Sequence, residues 1–156
     1  MLICEEFHQA GASGGAFASL FTSGIALPHL AAAGDPEQIE KWVRPTLRGE
    51  LIGSLAITEP GGGSDVGHLR TTAVRDGDHF VVNGSKTFIT SAVRADFVVT
   101  AVRTGGPGAS GVSLLVIEKS TPGFGVTRKL DKMGWRASDT AELSFVDAGC
   151  RRRNLV

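Results

Sequence analysis

The sequence predicts an α+β fold, in which a short N-terminal helical segment precedes an antiparallel β domain of barrel-like or sandwich form. Apolar residues recur at helical spacing before residue 50 and at alternate positions from Leu51 onward. Asp-Gly and Asn-Gly dipeptides, which are typical of tight hairpins, separate runs rich in β-branched residues. A chain of 156 residues is long enough to bury one substantial core.

The helical part opens with two apolar segments, residues 1–11 and 16–27, and the second is apolar on most faces, as in a helix buried among other helices. Residues 14–33 include serine, threonine, proline and histidine, so we do not interpret them as a membrane span. They lack a basic start and a cleavage site, so we do not interpret them as a signal peptide. A Gly-x-Ser-x-Gly pattern around Ser13 is typical of a nucleophile elbow. No strand precedes it, and a hydrolase is therefore not expected.

The third helix carries clear start and stop signals. Asp35 is the expected N-cap, Pro36 the first helical residue, and Gln38 completes a capping box. Gly49 is the expected stop. The predicted buried stripe consists of Ile39, Trp42, Val43 and Leu47.

Period-two patterns predict eight strands separated by short Gly, Asp or Pro turns. Type I′ hairpin turns, which need positive φ at both central residues, are expected at Asp76-Gly77 and at Asn83-Gly84. The predicted strands are residues 51–58, 69–75, 79–83, 85–90, 97–103, 112–118, 125–129 and 141–147.

Charge and cysteine content exclude several classes of function. The 16 basic and 16 acidic residues balance, so no surface for nucleic acid or for a membrane is predicted. Cys4 and Cys150 stand apart, without metal-ligand spacing, and the four histidines are scattered. These observations predict a reducing, cytoplasmic location and no metal site.

The most informative stretch is residues 55–65, where an apolar strand ends in a glycine-rich loop. Pro60 stops the strand, and Gly61 to Gly63 remove every Cβ that would keep a ligand from the backbone. Positive φ values there would let amide groups converge on a pyrophosphate or a thioester oxygen. Ser64 adds a hydroxyl, and Asp65 is expected to cap the next turn. The alternative, commoner among glycine loops, is a connection that binds nothing.

Other glycine-loop motifs do not fit. No Gly-Lys-Ser/Thr follows residue 63, which excludes a Walker A loop. Residues 106–111 match Gly-x-Gly-x-x-Gly but lead into a β-type run rather than a helix, so a dinucleotide fold is not predicted. We interpret them as a flexible connection between strands.

Three segments, in order, resemble signatures of the acyl-CoA dehydrogenase family. Ala56 to Asp65, A-I-T-E-P-G-G-G-S-D, resembles the family's (A/V)-x-T-E-P-x-x-G-S-D, and Asn83 to Thr90, N-G-S-K-T-F-I-T, resembles N-G-x-K-x-(W/F)-I-(T/S). Asp131 to Thr140 is similar to the family's K-x-G-x-(R/x)-x-S-D-T stretch. Ser91-Ala92 replaces the family's more usual Asn-Gly or Ser-Gly.

The resemblance implies three parts within this chain. Residues 1–50 correspond to the C-terminal part of the family's N-terminal helical domain, and residues 51–150 to its middle β domain. Residues 151–156 correspond to a truncated start of the C-terminal region, whose helical domain is not expected in this chain.

The resemblance also implies which residues contact FAD. Thr90 would place its hydroxyl near the flavin N5, Thr58 would bond elsewhere on the ring, Phe88 would shield one side of it, and Ser64 would face the acyl-CoA substrate. Without the motif, Thr90 is an ordinary strand threonine and Phe88 a core aromatic. The complete set of implied FAD contacts is Leu55, Ala56, Ile57, Thr58, Gly63, Ser64, Phe88, Ile89 and Thr90.

The implied reaction is FAD-dependent α,β-dehydrogenation of an acyl-CoA thioester. The family's base is a glutamate in the helical domain after the β domain, so no catalytic residue is expected in this chain, and the family does not use Glu59 as base. The implied partners are an acyl-CoA thioester, an acceptor of the electron-transfer flavoprotein type, and further copies of the complete chain. The alternatives are a non-catalytic flavin-binding, acyl-CoA-binding or structural β module, and an oxidase or monooxygenase on the same scaffold.

Overall fold

The first two helices are α1, Leu2–Gln9, and α2, Gly14–Ala33, in a computed structural model that describes residues 2–156. The predicted start of α1 at Met1 lies outside the described residues. Ser13 is the N-cap of α2, and its Oγ accepts a hydrogen bond from the Ala16 amide at 3.3 Å. The Gly-x-Ser-x-Gly pattern is therefore a helix start.

Helix α2 differs from its prediction in length and hydropathy. It continues through Pro28, because Leu27 and Leu30 on either side are buried against the sheet residues Phe97 and Val99. Most of its other apolar side chains are not buried by the rest of the described chain. An 18-residue window has a mean hydropathy of 1.4, so by length and composition α2 is apolar enough to cross a membrane, as some core helices are. The expectation that residues 14–33 are too weakly apolar for a span is therefore not supported by their hydropathy.

The third helical segment comprises α3, Pro36–Gln38, a π-helical turn, Ile39–Val43, and α4, Arg44–Leu47. The capping box predicted at its start is present. Trp42 and Val43 are buried as predicted, but Leu47 is 70% exposed and Thr46 is buried instead. A π turn holds one extra residue and rotates the face that follows it, which explains the difference.

The strands are β1, Gly53–Ala56; β2, Thr72–Asp76; β3, His79–Thr90; β4, Phe97–Arg103; β5, Val112–Glu118; β6, Phe124–Lys129; and β7, Thr140–Arg151. They form one seven-stranded sheet in the order β1-β4-β2-β3-β7-β6, and β5, which lies off this path, pairs with β4. β1 and β2 run parallel to β4, so the sheet is mixed rather than wholly antiparallel. Short 3₁₀ turns lie at Val66–His68, Ala109–Gly111 and Arg152–Asn154. The predicted α+β class is confirmed.

Of the two predicted hairpins, one is present. β2 and β3 pair through Asp76 and His79, so the two loop residues are Gly77 and Asp78, and only Gly77 has a positive φ, of 59°. The expected type I′ turn, with positive φ at both central residues, was therefore wrong. Asn83-Gly84 instead lies inside β3, where the pairing with β7 shifts by one residue. A Cβ on Gly84 would lie 2.6 to 2.8 Å from atoms of Thr71. This glycine therefore permits a close approach of two segments and not a turn.

The connection from β4 to β5, which contains the Gly-x-Gly-x-x-Gly match, is not loose. The Arg103 guanidinium donates hydrogen bonds to the carbonyl oxygens of Gly106 at 2.6 Å and Gly108 at 3.2 Å. It also donates to those of Gly67 at 2.6 Å and Leu69 at 3.1 Å. One side chain thus fixes this connection against the segment that follows the glycine-rich loop.

Two buried clusters position these elements. One lies within the curled sheet and includes Val82, Val98, Ile117 and Leu143. The other joins the helices to β4 and β5 through Leu30, Trp42, Phe97, Val99 and Val116. The C-terminal ends of β1, at Ala56, and of β3, at Thr90, lie beside this helix–sheet contact. The first two motif segments include these ends.

Candidate functional site

Two of the motif segments meet where β1 ends beside β3. The Ser54 hydroxyl donates to the Thr90 carbonyl oxygen at 2.5 Å, across 36 residues of sequence. The Thr87 amide donates to the Thr58 carbonyl oxygen at 2.9 Å, and the Thr58 hydroxyl donates in return to the Thr87 carbonyl oxygen. Residues 55–58 and 88–90 are therefore adjacent, as the implied flavin site requires.

The glycine loop, residues 59–63, is a tight turn closed by Glu59 and Gly62. The Glu59 amide donates to the Gly62 carbonyl at 2.9 Å, and the Gly62 amide to the Glu59 carbonyl at 3.1 Å. None of Gly61, Gly62 and Gly63 has a positive φ, so the expected positive-φ arrangement of amides was wrong. A turn with Pro60 at its second position does not need positive φ at its glycine.

The glycines nevertheless leave the backbone of the loop open. A Cβ on Gly61 or Gly62 would meet nothing within 4 Å, whereas one on Gly63 would lie 3.2 Å from Thr58 Cγ2. Cavities of about 160 Å³ and about 230 Å³ flank the loop, and Glu59, Gly61 and Arg70 line both. A ligand could therefore approach the backbone of the loop from either side.

Ser64 and Asp65 follow the loop and are both exposed. Asp65 stands before the short turn Val66–His68, but its side chain caps no amide there. Its carboxylate instead lies 2.6 Å from His68 Nδ1. The expectation that Asp65 caps the turn was wrong, because the histidine takes its oxygen.

Phe88 has the most unusual backbone in the site. The pairing of β3 with β7 shifts between Lys86 and Ile89, and Phe88 within this bulge has a φ of 60°. A bulky residue in this left-handed region is strained. Phe88 is 68% exposed, whereas its neighbour Ile89 is only 2% exposed and Thr90 is half-buried. Phe88 is therefore not a core aromatic.

The third motif braces the turn that follows Thr90. Ser91 has a φ of 63°, and its amide donates to the Asp139 carbonyl oxygen at 2.8 Å. The buried Asp139 carboxylate accepts hydrogen bonds from the Val93 amide at 2.8 Å and from Arg94 Nε at 2.6 Å. The Ser91 hydroxyl lies 3.1 Å from that of Thr22 on α2. Ser91 thus adopts a left-handed backbone conformation, which is more typical of asparagine or glycine.

The loop before Asp139 packs on the start of α2. Trp135, with a φ of 51° and 52% exposed, contacts the Phe17 ring edge-on at a centroid distance of 5.9 Å. A Cβ on Gly15 would lie 2.9 Å from the Ala137 Cβ, so this helix turn and the loop are in close contact. The Ser138 hydroxyl is buried and has no hydrogen-bond partner among the described residues.

Sequence reasoning missed a buried ion pair beneath the glycine loop. Lys86 is fully buried, and its Nζ lies 2.9 Å from Glu59 Oε1 and 2.9 Å from the Ile57 carbonyl oxygen. The Glu59 carboxylate also accepts hydrogen bonds from the amides of Arg70 at 2.6 Å and Thr71 at 2.9 Å. The sequence feature that could have indicated this pair is the lysine of the Asn-Gly-x-Lys pattern, which lies inside a β-type run.

The surroundings of this pair shift both pKa values. Burial alone would raise the pKa of Glu59, but hydrogen bonds from Thr71, from the Arg70 amide and from Lys86 outweigh it and lower this pKa to about 2. Burial lowers the pKa of Lys86, and the attraction to Glu59 offsets this only in part. Glu59 is therefore ionised at neutral pH and fully engaged, which makes it a structural carboxylate and not a free base.

Comparison with known proteins identifies the family. Residues 54–148 match the family model described as acyl-CoA dehydrogenase, middle domain. The chain belongs to the acyl-CoA dehydrogenase family. Acyl-CoA dehydrogenases are FAD-dependent oxidoreductases of fatty acid metabolism.

Individual relatives cover this chain almost completely. It is 42% identical over 146 residues to the long-chain specific acyl-CoA dehydrogenase, mitochondrial, of Mus musculus, covering 92% of this chain and 34% of that protein. It is 35% identical over 160 residues to the isovaleryl-CoA dehydrogenase, mitochondrial, of Pongo abelii, and the match covers 100% of this chain and 37% of that protein. The crystal structure of a probable acyl CoA dehydrogenase from Mycobacterium abscessus is similar, with a TM-score of 0.96 and 68% identity. The match covers 99% of this chain and 41% of that one.

The chain thus spans roughly a third to two fifths of the length of the acyl-CoA dehydrogenases that it matches. These relatives are named for long-chain and for isovaleryl substrates, although each aligns with most of this chain. Their names therefore assign no single acyl chain to it.

Proposed function

We propose that this chain forms the flavin-binding and acyl-CoA-binding part of an acyl-CoA dehydrogenase that removes hydrogen from the α and β carbons of an acyl-CoA thioester. The observation that carries the proposal is the hydrogen-bonded junction of the two motif segments. Ser54 bonds to Thr90 and Thr58 to Thr87, so the glycine loop and the Phe88 bulge lie side by side.

The residues at this junction fit a flavin by their chemistry. Phe88 offers an exposed aromatic face, and the backbone at Gly61 and Gly62 borders open space that a ligand can enter. Among the side-chain hydrogen bonds of residues 2–156, Thr90 takes part only through its carbonyl oxygen, which leaves its hydroxyl free to donate. The Thr58 hydroxyl already donates to Thr87, so toward a flavin it can act as an acceptor only.

In the proposed reaction, bound FAD supplies the acceptor for the hydride that leaves the β carbon. Thr90 and the Gly61 amide donate hydrogen bonds where negative charge develops, and Phe88 covers one face of the ring system and excludes water. Ser64, exposed beyond the glycine loop, is proposed to face the thioester. Leu55, Ala56, Ile57 and Ile89 complete the proposed contacts as the apolar wall beneath them.

We propose that the base that removes the α proton is not Glu59, Glu118 or Glu142. The Glu59 carboxylate is occupied by Lys86 and two amides, and Glu118 forms an ion pair with Lys41 at 2.5 Å. Glu142 lies on β7 opposite the Phe88 bulge of β3, and its backbone pairs with Arg128 of β6. It is not proposed as the base because the family's base comes from a later domain. The base is proposed to come from a helical domain of the family's plan, after the β domain.

The proposed organisation follows the family's plan. Residues 1–50 belong to the helical domain before the β domain, residues 51–150 are the β domain, and residues 151–156 lead toward the next region. Apolar side chains remain exposed on α1 and α2, at Leu2, Ile3, Leu20, Phe21 and Ile25. Such a surface supports association with further helices or with other copies of the complete chain. An acceptor of the electron-transfer flavoprotein type and a cytoplasmic location complete the proposal.

The test is a visible absorbance spectrum of the purified chain after incubation with FAD and desalting. We expect retained flavin bands that do not bleach when an acyl-CoA is added, since the proposed base lies elsewhere. Thr90→Val, which keeps the shape of the side chain and removes the hydroxyl, is expected to weaken FAD binding by about tenfold. A matched control is Thr127→Val on the edge strand β6, which should retain the wild-type amount. A folded wild-type chain that retains no flavin would contradict the proposal.

A further inference from the structure

The strongest unassigned feature is the buried pair of Glu59 and Lys86. Lys86 has no exposed surface, and the Glu59 side chain is 9% exposed. Burying two opposite charges costs more free energy than packing two apolar side chains of similar volume. The presence of the pair between the two halves of the proposed flavin site therefore needs a physical reason beyond stability.

Both hydrogen bonds of Lys86 join segments that belong to different halves of the site. Lys86 lies in β3, two residues before Phe88, and its Nζ bonds to the Ile57 carbonyl and the Glu59 carboxylate. Ile57 and Glu59 flank Thr58. The strand that carries the Phe88 bulge is thereby attached to the start of the glycine loop.

The same carboxylate fixes the segment on the far side of the loop. Glu59 accepts hydrogen bonds from the amides of Arg70 and Thr71, and the Thr71 hydroxyl donates to the Ser85 carbonyl oxygen at 3.3 Å. Thr71 can lie this close to β3 because Gly84 has no Cβ. Residues 60–66 between the two anchors are exposed, so their position depends on the anchors.

We propose that Glu59 and Lys86 are positioning residues that fix the glycine loop relative to the Phe88–Thr90 segment, so that one flavin can contact both. They act through the loop and do not touch the reacting atoms. This inference rests on the proposed flavin site, and it assigns to that site a specific internal support. A released loop would still carry its glycines and hydroxyls, but they would no longer face the same ligand as Phe88 and Thr90.

The test separates positioning from simple stabilisation with two variants of the 156-residue chain. Lys86→Met leaves Glu59 charged and buried without its cation, so stability and FAD affinity both fall. In the double variant Glu59→Gln/Lys86→Met no buried charge remains, and an amide oxygen can still accept from Arg70 or Thr71. We expect its thermal midpoint to recover relative to Lys86→Met, whereas its dissociation constant for FAD stays raised by about tenfold or more.

One control variant and one further measurement complete the design. Glu50→Gln/Arg48→Met removes an exposed ion pair remote from the site and is expected to change neither the thermal midpoint nor FAD affinity. Hydrogen exchange without FAD should be about tenfold faster or more at the Arg70 and Thr71 amides in the double variant than in the wild type, because one amide oxygen replaces a carboxylate fixed by Lys86.

The outcomes distinguish this inference from the proposed function. If the double variant binds FAD like the wild type, the pair only stabilises and the inference is wrong. If the wild-type chain binds no FAD, the proposed function fails, and the exchange rates of Arg70 and Thr71 still decide the structural part. Unchanged exchange at both amides in the double variant would overturn that part.

Discussion

The glycine loop and the turn that follows Thr90 lie side by side, but their conformations depend on different interactions. The glycine loop has unstrained backbone and is anchored from beneath by the Glu59–Lys86 pair. The Phe88–Ser91 turn contains two non-glycine residues with positive φ, and neutral amides and the Asp139 carboxylate hold it. The first half should therefore respond to acid and to loss of its ion pair, and the second to loss of the Asp139 hydrogen bonds and to relief of strain.

The largest effect is expected from Lys86→Met. Removing one partner of a buried ion pair leaves an uncompensated charge, which costs about 3 to 5 kcal/mol. Urea unfolding of the variant and the wild type measures the loss of free energy. Lys129→Met, at an exposed position on β6, is the matched control and should change stability by less than about 0.5 kcal/mol. Equal effects of the two substitutions would contradict the charged anchor.

The glycine loop should also be the acid-sensitive half. Because the pKa of Glu59 in the folded chain is about 2, below its ordinary value of 4.5, its contribution to stability is complete above pH 4.5 and is lost as the pH falls toward 2. Stability measured between pH 5 and about 2 should fall more steeply in the wild type than in Glu59→Gln/Lys86→Met. Parallel curves would show that Glu59 is not the group that titrates.

An intermediate effect is expected in the other half from Asp139→Ala. The substitution leaves the Val93 amide without its acceptor and Arg94 without its partner, which should cost about 2 kcal/mol. Asp131→Ala, exposed in the same loop, is the control for thermal unfolding. If both variants unfold at the wild-type temperature, Asp139 does not support the turn.

The smallest effect has the opposite sign. Phe88→Gly relieves the left-handed strain but adds backbone freedom to the unfolded chain, so a net gain of about 0.5 to 1 kcal/mol is expected. FAD affinity should fall at the same time, since the aromatic face is lost. Val74→Gly, on the exposed face of β2 where φ is ordinary, should instead destabilise by about 1 kcal/mol. A loss of stability in Phe88→Gly would mean that its conformation is not strained.

Local signals in the sequence predicted most of the elements. The capping box at Asp35 and the strands β4 and β5 depend on neighbouring residues, so their bounds agree with the structure. Asn83-Gly84 has the composition of a hairpin turn, but contact with Thr71, distant in sequence, decides its role. The π-helical turn that buries Thr46 instead of Leu47 is likewise set by packing and not by local propensity.

The site was predictable to a different extent. The motif resemblance supplied the two segments, and the structure brings them together through Ser54, Thr58 and Thr87. The motif resemblance did not predict the Glu59–Lys86 pair. The partners are 27 residues apart, and their contact follows only from the register of β3 beside residues 57–59. The strain at Phe88 was equally hidden, since a bulge depends on the pairing of β3 with β7.

The central claim is that the glycine loop and the Phe88–Thr90 segment form one flavin site. Hydrogen exchange of the chain with and without FAD tests it most directly, because each segment reports separately. The account predicts that FAD slows exchange in residues 57–71 and 87–91 together, while the hairpin around Gly77 is unchanged. Protection of only one segment, or of neither in a chain that retains FAD, would contradict it.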